Sequence, residues 1–225
     1  MRTLWHDLTT KAGLRLSPEQ ELRLVQYLEL LLSANQRLNL TGIEDMASAE
    51  IQHVADAMTL LPYLPRGPHR LADVGSGGGV PGIILAVVRG DATVALIEAT
   101  QKKANFLKLA CDRLGLKNVL ILPQRAEEAG RTNLRETFDV VAARAVAPLP
   151  QLLEWCLPLT KRGGKVLAMK GPKVQEELAA AQKAARLMAG GTVTVNAAPL
   201  PGAEGHVIVE VMKEGKTDAK YPRVR

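Results

Sequence analysis

Leu71-Ala72-Asp73-Val74-Gly75-Ser76-Gly77-Gly78-Gly79-Val80-Pro81-Gly82 is the stretch that decides the fold of this chain. Four residues of strand character run into a glycine cluster, and an apolar run from Val80 to Val88 follows. Strand, glycine turn and helix together form the opening unit of a parallel α/β sheet. The glycines let backbone approach a ligand closely, and the next helix offers free N–H groups to an anion.

Outward from this loop the alternation continues to the carboxyl end. Val94 to Ile97 reads as a second strand, Lys102 to Leu114 as a helix ended by Gly115, and Val119 to Leu122 as a third strand. Phe138 to Ala142 makes a fourth strand, followed by a helix around Leu149 to Leu157. Gly163-Gly164 turns the chain into a fifth strand, Lys165 to Met169, and a long helix is predicted from Val174 to Ala189. Thr192 to Ala197 and His206 to Met212 read as a closing hairpin. Alternating strands and helices imply right-handed crossovers and a parallel sheet, to which the hairpin adds an antiparallel strand. The pattern resembles the class I (Rossmann-like) S-adenosylmethionine-dependent methyltransferase fold, α/β with seven strands, more than a plain dinucleotide domain.

In the other direction, residues 1–66 read as a helical segment packed on the core. Ser17-Pro18-Glu19-Gln20 is a helix start, with Ser17 as cap and Gln20 completing a capping box. Leu24, Leu28, Leu31 and Leu32 form a stripe at helical spacing, and a third helix is predicted from about Ala47 to Leu61. Residues 67–213 form the methyltransferase domain and 214–225 a basic tail.

Composition narrows the function classes. The 225 residues are 47% hydrophobic, and the longest apolar run has nine residues, against about twenty for a membrane span. The polar amino terminus argues against export, so a cytoplasmic protein is expected. Cys111 and Cys156 lack the spacing of a zinc or redox pair and read as small buried hydrophobes. A net charge of +6 favours a polyanionic partner. From Lys213 onward five basic residues face two acidic ones, which suits either a solvated tail or an RNA contact.

The loop alone does not choose a cofactor. Gly77, Gly79 and Gly82 meet the GxGxxG spacing of nicotinamide enzymes, and Glu98 stands where a ribose-binding acid belongs in either class. Gln124-Arg125-Ala126-Glu127 follows the third strand, where methyltransferases place an acid for adenine, and no second catalytic domain accompanies the first. For S-adenosylmethionine the anion at the loop would be its methionine carboxylate. The structural alternatives are that Glu127 complements a helix dipole and Glu98 caps a helix.

These motifs, taken in order, resemble the RsmG (GidB) family of 16S rRNA 7-methylguanosine methyltransferases. The resemblance covers nearly the whole chain: Asn39-Leu40-Thr41, His53 and Asp56 in an HxxD pattern, the glycine loop, Glu98 to Lys103, Arg125-Ala126-Glu127, Ala143-Arg144-Ala145, Lys170-Gly171-Pro172 and Tyr221-Pro222-Arg223. It implies cofactor contacts at Gly75, Gly77, Val80, Glu98, Ala99, Thr100, Ala126, Glu127 and Arg144. It also implies methyl transfer to N7 of a guanine in the 530 loop (position 527 in conventional numbering) of 16S rRNA, with S-adenosyl-L-homocysteine as the other product. Val80 is smaller than the usual residue of that position.

The residues after the fourth strand report the acceptor. Ala143-Arg144-Ala145-Val146-Ala147-Pro148 carries neither an Asn/Asp-Pro-Pro-aromatic run nor a cysteine nucleophile, and no acid cluster suggests a metal. Those negatives fit guanine N7, whose lone pair needs no general base, so catalysis rests on positioning and electrostatics. Arg144 is expected to bind cofactor or orient the guanine, and Lys170 to reach an RNA phosphate. Their alternatives are a structural ion pair and a solvated lysine. His53 and Asp56, three apart on a helical face, suit a structural or gating role.

Arg125, Lys161, Arg162, Lys165, Lys170 and Lys173 are expected near the active edge, and RNA contacts are assigned to Arg125, Lys165, Lys173 and Arg223. Seven aromatic residues are too few for a stacking platform, so recognition of RNA shape, as 16S rRNA or an assembled 30S subunit, by a monomer is expected. A methyltransferase for another acceptor, a nicotinamide oxidoreductase and a cofactor-sensing assembly factor remain the alternatives.

Overall fold

The structure, a computed structural model, describes residues 2–223; the tail's Val224 and Arg225 lie outside the described residues. Helices α1 (Arg2–Lys11) and α2 (Pro18–Leu38) open the chain. Ser17 caps α2 in extended conformation, its hydroxyl accepting from the Gln20 N–H at 3.2 Å, and Gln20 Oε1 accepts from the Ser17 N–H at 3.0 Å. The same Gln20 amide donates to the carbonyls of Val87 and Val88 at 2.9 and 3.1 Å, joining this helix start to a helix end in the domain behind it.

The third helix departs from the single run that the sequence predicts. It comprises α3 (Met46–Ala49), a π-helical stretch at Glu50–Ala55 and α4 (Asp56–Met58), followed by a 3₁₀ turn at Leu61–Tyr63. π-Winding is rare and concentrates at functional sites. Here it carries Gln52 and His53, which hold a key arginine described below.

The rest of the chain runs β1 (His69–Val74), α5 (Gly82–Val88), β2 (Ala92–Ile97), α6 (Gln101–Leu114), β3 (Val119–Leu122), α7 (Ala126–Ala129), β4 (Phe138–Arg144), α8 (Leu149–Cys156), β5 (Thr160–Lys170), α9 (Leu178–Leu187), β6 (Gly190–Ala197) and β7 (Val207–Lys213). The one-turn α7 has no periodic signal in the sequence. The helix predicted from Val174 begins instead as a 3₁₀ turn, Pro172–Glu177, because Glu177 folds back onto the Leu149 N–H and Lys170.

The seven strands lie in the order β3-β2-β1-β4-β5-β7-β6. The first five are parallel, and β7 enters antiparallel between β5 and β6. Strand order reverses between β1 and β4, and Val74 pairs with Ile97 on one side and Ala143 on the other. Three strands therefore end level, opening the crevice where α/β sheets bind ligands.

Each face of the sheet has its own core. One joins Trp5, Tyr27 and Leu28 of the amino-terminal helices to Ile83, Ile84 and Leu107, so that segment shares a continuous core with the domain. The other packs Leu152, Leu153 and Ala185 against Val141 and Val166. At roughly 25 cal/mol per Å² of apolar surface, each such leucine contributes about 2 kcal/mol.

The tail is not a free solvated strand. Lys213 is buried and donates to the Leu157 and Met188 carbonyls at 2.9 and 3.1 Å; burial pulls its ammonium down to about 8. Residues 214–223 form no helix or strand, so their carbonyls need donors from elsewhere. Arg135 gives to Thr217, Asp218 and Tyr221 as well as to Gly130, and Arg131 gives to Lys220 and Pro222. Arg223 closes the segment with a bidentate pair to Glu154 at 2.6 and 2.9 Å. Arg135→Met is expected to lower stability by about 2–4 kcal/mol, since each bond from a charged donor contributes about 1.5–3 kcal/mol and some freed carbonyls can turn to water. Urea unfolding followed by circular dichroism measures this directly.

Candidate active site

The glycine loop starts where β1 stops. Gly75, Gly77 and Gly79 have φ of 69°, 55° and 102°, a region that side chains disfavour. A Cβ on Gly75 would stand 2.7 Å from Val146, and one on Gly82 would stand 2.3 Å from Leu96. The loop is pinned from outside by α2, where the buried Tyr27 hydroxyl donates to the Gly78 carbonyl at 2.7 Å.

Glu98, at the end of β2, ties this loop to the next. Its Oε2 accepts from the Gly77 N–H at 2.9 Å and its Oε1 from the Thr100 N–H at 2.7 Å. Each oxygen keeps a second lone pair for a ligand hydroxyl. The side chain borders a cavity of about 390 Å³, together with Gly75, Gly77, Val80, Ala99, Arg125, Ala126, Glu127 and Arg144. Of the predicted cofactor residues only Thr100 stays off this lining, and it acts through its N–H on Glu98. Glu127 lies on the single turn of α7, with Arg125 Nη1 at 3.8 Å from its carboxylate. Trp155, on α8, also lines the cavity, as do Leu31 and Leu40 beside Gly78 and Thr41 beside His53. Sequence reasoning missed Trp155 and Tyr27, because a lone aromatic inside a helical stripe carries no signal beyond core packing.

Arg144 ends β4 and is held from the π-helical stretch. Its guanidinium donates to the Gln52 carbonyl at 2.6 Å, to Asp56 Oδ2 at 3.0 Å and to His53 Nδ1 at 2.9 Å. Arginine has no acceptor, so its bond to Nδ1 requires the tautomer with hydrogen on Nε2, toward Thr41 Oγ1 at 2.9 Å, in place of the one that would donate Nδ1–H to the Gln52 carbonyl at 3.1 Å. His53 and Asp56 therefore both grip Arg144 and do not simply pair with one another. Asp56 is 3% exposed, and its second oxygen accepts from His206 Nδ1 at 3.1 Å.

Arg144 and Ala145 also wall a second cavity of about 470 Å³, adjoining the first and bordered by Met169, Lys170, Lys173 and His206. Ala145 has φ of 55°, a strained conformation for a residue with a Cβ and one that collects at functional sites. Lys170 pairs with Glu177 at 3.0 Å and donates to the Ala147 carbonyl at 3.2 Å, so its ammonium is engaged at the cavity wall.

The expected cluster of basic residues at the active edge is corrected in part. Lys161, Arg162 and Lys165 lie towards the amino end of β5, roughly 16 Å from Lys170 for Lys165 at about 3.3 Å per residue. Lys161 pairs with Asp139, and Lys165 with Glu210 at 2.6 Å. Lys165 stands five residues before Lys170 in the eleven-residue β5, far enough to leave the active edge, and the sequence expectation did not separate the two. Arg223 lies on Glu154, on neither cavity wall. Both cysteines are buried, and burial pushes their thiols up, Cys111 to about 11.

Two buried groups titrate in opposite senses. Burial pushes Asp73, whose Oδ2 accepts from the Gly82 N–H at 3.0 Å, up to about 7. Burial, then the Arg144 charge, pulls His53 down to about 4. Between pH 4 and 7 folded Asp73 holds a proton that the unfolded chain releases, so its contribution falls as pH rises. Between about 4 and 6.5 unfolded His53 binds a proton that the folded chain refuses, so its contribution rises with pH. The two slopes oppose each other in the ligand-free protein. Asp73→Asn is expected to give stability that climbs from pH 4 to 6.5, and His53→Gln stability that declines from pH 4 to 7, by urea midpoints across that range. Parallel curves for both variants and the wild type would contradict the assignment.

The N–H groups of Gly75 and Ser76 are given to the Ile97 carbonyl, that of Gly77 to Glu98 and that of Gly79 to Ser76, so the cavity's polar offer comes from side chains: Glu98 to a pair of hydroxyls, and Glu127 with Trp155 to a flat ring bearing an amine. Comparison with known proteins gives the same direction. The family model described as rRNA small subunit methyltransferase G matches residues 20–201. The chain is 38% identical to ribosomal RNA small subunit methyltransferase G of Lactobacillus delbrueckii subsp. bulgaricus, covering 98% of this chain and 94% of that protein. It is 41% identical to the protein of the same name from Moorella thermoacetica, covering 94% and 89%. Among solved structures it resembles the cofactor-bound Rv0187 of MTB, with a TM-score of 0.61 at 16% identity over 84% of this chain and 91% of that one. It also resembles a T. thermophilus 16S rRNA methyltransferase in complex with AdoMet and guanosine, with a TM-score of 0.51 at 16% identity over 69% and 37%. At such identities the structural likeness concerns the fold.

Proposed function

The chain belongs to the rRNA small subunit methyltransferase G family, and from that premise we propose that it transfers the methyl group of S-adenosylmethionine to N7 of a guanine in 16S rRNA. The observation that carries the reading is the pair of adjoining cavities that share Arg144 and Ala145 as their common wall. The first has the features of a cofactor site. Gly75 lets the loop pass against Val146, where a Cβ would stand at 2.7 Å, both Glu98 oxygens retain a lone pair, and Glu127 and Trp155 line the same cavity. S-adenosylmethionine supplies an electrophilic methyl group on a sulfonium. The glycine loop would pass along its methionine portion, Glu98 would hold its ribose hydroxyls and Glu127 its adenine.

The second cavity would take the acceptor base, with N7 turned toward the shared wall. No residue need remove a proton, because N7 attacks through a lone pair already free. What the protein contributes is alignment, with Arg144 fixed by three acceptors, and the exclusion of water from the junction. Arg125 and Lys173, at the rims of the two cavities, are the basic residues we assign to RNA phosphate; Lys165 and Arg223 are occupied away from them. The acceptor is the 530-loop guanine, reached in 16S rRNA or the 30S subunit by a single protein chain in the cytoplasm. Among the described residues no helix is long and apolar enough to cross a membrane.

The test is transfer from labelled S-adenosylmethionine to 16S rRNA that lacks the modification, naked and as 30S subunits, followed by digestion to nucleosides. Label in 7-methylguanosine is expected. Label in another nucleoside, or none despite cofactor binding, would contradict the reading.

A further inference from the structure

We propose that His206 reads the guanine through its Nε2, accepting the N1–H of the base, and that this bond tightens as the methyl group arrives. The inference rests on the assignment of the second cavity to the acceptor base. His206 stands just before β7 and borders that cavity. Its Nδ1 lies 3.1 Å from Asp56 Oδ1, while Asp56 Oδ2 takes the Arg144 guanidinium at 3.0 Å. An ionised carboxylate only accepts, so Nδ1 carries the hydrogen. In the tautomer that gives Nδ1–H to Asp56, Nε2 presents a lone pair. That nitrogen has no hydrogen-bond partner among the described residues, although the ring is only 36% exposed. One carboxylate therefore orients both the arginine at the shared wall and an acceptor on the side of the base pocket.

The chemistry selects what such an acceptor would read. Guanine presents a donor at N1, whereas adenine presents a lone pair there. As N7 attacks, its lone pair becomes the new N–C bond, the C–S pair stays on sulfur, and the positive charge moves onto the purine with no proton lost. A cationic purine holds its N1–H less tightly, so a bond donated from N1 is stronger in the transition state than in the ground state. Only such differential interactions raise the rate of the chemical step. The bond serves both selection and catalysis, without a general base.

The experiment compares wild type, His206→Leu and His206→Gln on unmethylated 16S rRNA carrying guanine, inosine or 2-aminopurine at the target, introduced by ligation. Inosine keeps N1–H; 2-aminopurine has a lone pair at N1 and no N1–H. Melting temperature and S-adenosylhomocysteine affinity are measured alongside. His206→Leu is expected to lower kcat on guanine roughly 10- to 100-fold, the range of a charge-assisted hydrogen bond, with cofactor affinity unchanged. His206→Gln, which can place an oxygen near Nε2, recovers most of that loss. Wild type favours inosine over 2-aminopurine, and the preference collapses in the leucine variant. Unchanged kcat in His206→Leu, or glutamine no better than leucine, would overturn the assignment of His206 alone. Absence of 7-methylguanosine from wild type on guanine would overturn the reading of the cavity itself, and this assignment with it.

Discussion

Glu98→Ala is expected to bind S-adenosylmethionine at least ~100-fold more weakly than wild type, since two charge-assisted bonds at about 1.5–3 kcal/mol each are removed. The effect has two parts. The carboxylate would lose its ribose contacts, and the N–H groups of Gly77 and Thr100, now bonded to Glu98 at 2.9 and 2.7 Å, would lose their common acceptor. Gly75 and Ser76 would still hold the loop to the Ile97 carbonyl at the end of β2, so the loosening is confined to Gly77 and Thr100. Glu98→Gln separates the parts. It keeps one carbonyl acceptor but brings an NH₂ against one of the two N–H groups, and an intermediate loss is expected by isothermal titration with S-adenosylhomocysteine. Equal affinity in all three proteins would show that Glu98 is only a cap.

Arg144→Ala is expected to cut kcat/KM about 100- to 1000-fold, the cost typical of losing a preorganised polar group at a reacting centre. It also leaves Asp56, 3% exposed, with a hydrogen bond from His206 Nδ1 in place of its ion pair, a loss of about 3–5 kcal/mol in stability for a broken buried pair. Arg144→Lys is not conservative here. A single ammonium cannot present the planar fork that reaches Gln52, His53 and Asp56 together. Little rescue is therefore expected from lysine, with steady-state kinetics and urea unfolding as the readouts. Removing Asp56 as well should restore stability relative to Arg144→Ala, because no uncompensated charge stays buried. Activity should not return.

The sheet was legible because its signals are local. A strand that runs into Gly75 and Gly77 and a helix that ends at Gly115 announce themselves without any partner. Glu98 and Glu127 were legible for the same reason, each lying just beyond a strand. The cluster at Arg144 was legible only as separate letters: Arg144 lies 91 residues from His53 and 88 from Asp56, and their convergence depends on a π-helical stretch with no periodic signature. His206 left no trace, since one histidine before an alternating strand is read as strand. The direction in which each strand's charges lie was also lost: Lys165 and Lys170 share β5 but belong to different ends of the sheet. The tail's docking was not legible, because its partners Arg131, Arg135 and Glu154 bond to residues 214–223, which have no regular structure and no periodic signal.

The central claim is that one cavity holds the cofactor, the next holds the base, and Arg144 with Ala145 stands between them. A crystal structure of the protein with S-adenosylhomocysteine and an RNA hairpin of the 530-loop sequence tests it most directly. The predicted result is a flipped guanine in the second cavity, with N7 facing the cofactor sulfur across Ala145 and room for one methyl group between them. A guanine bound outside that cavity, or one presenting another atom to the sulfur, would contradict the account.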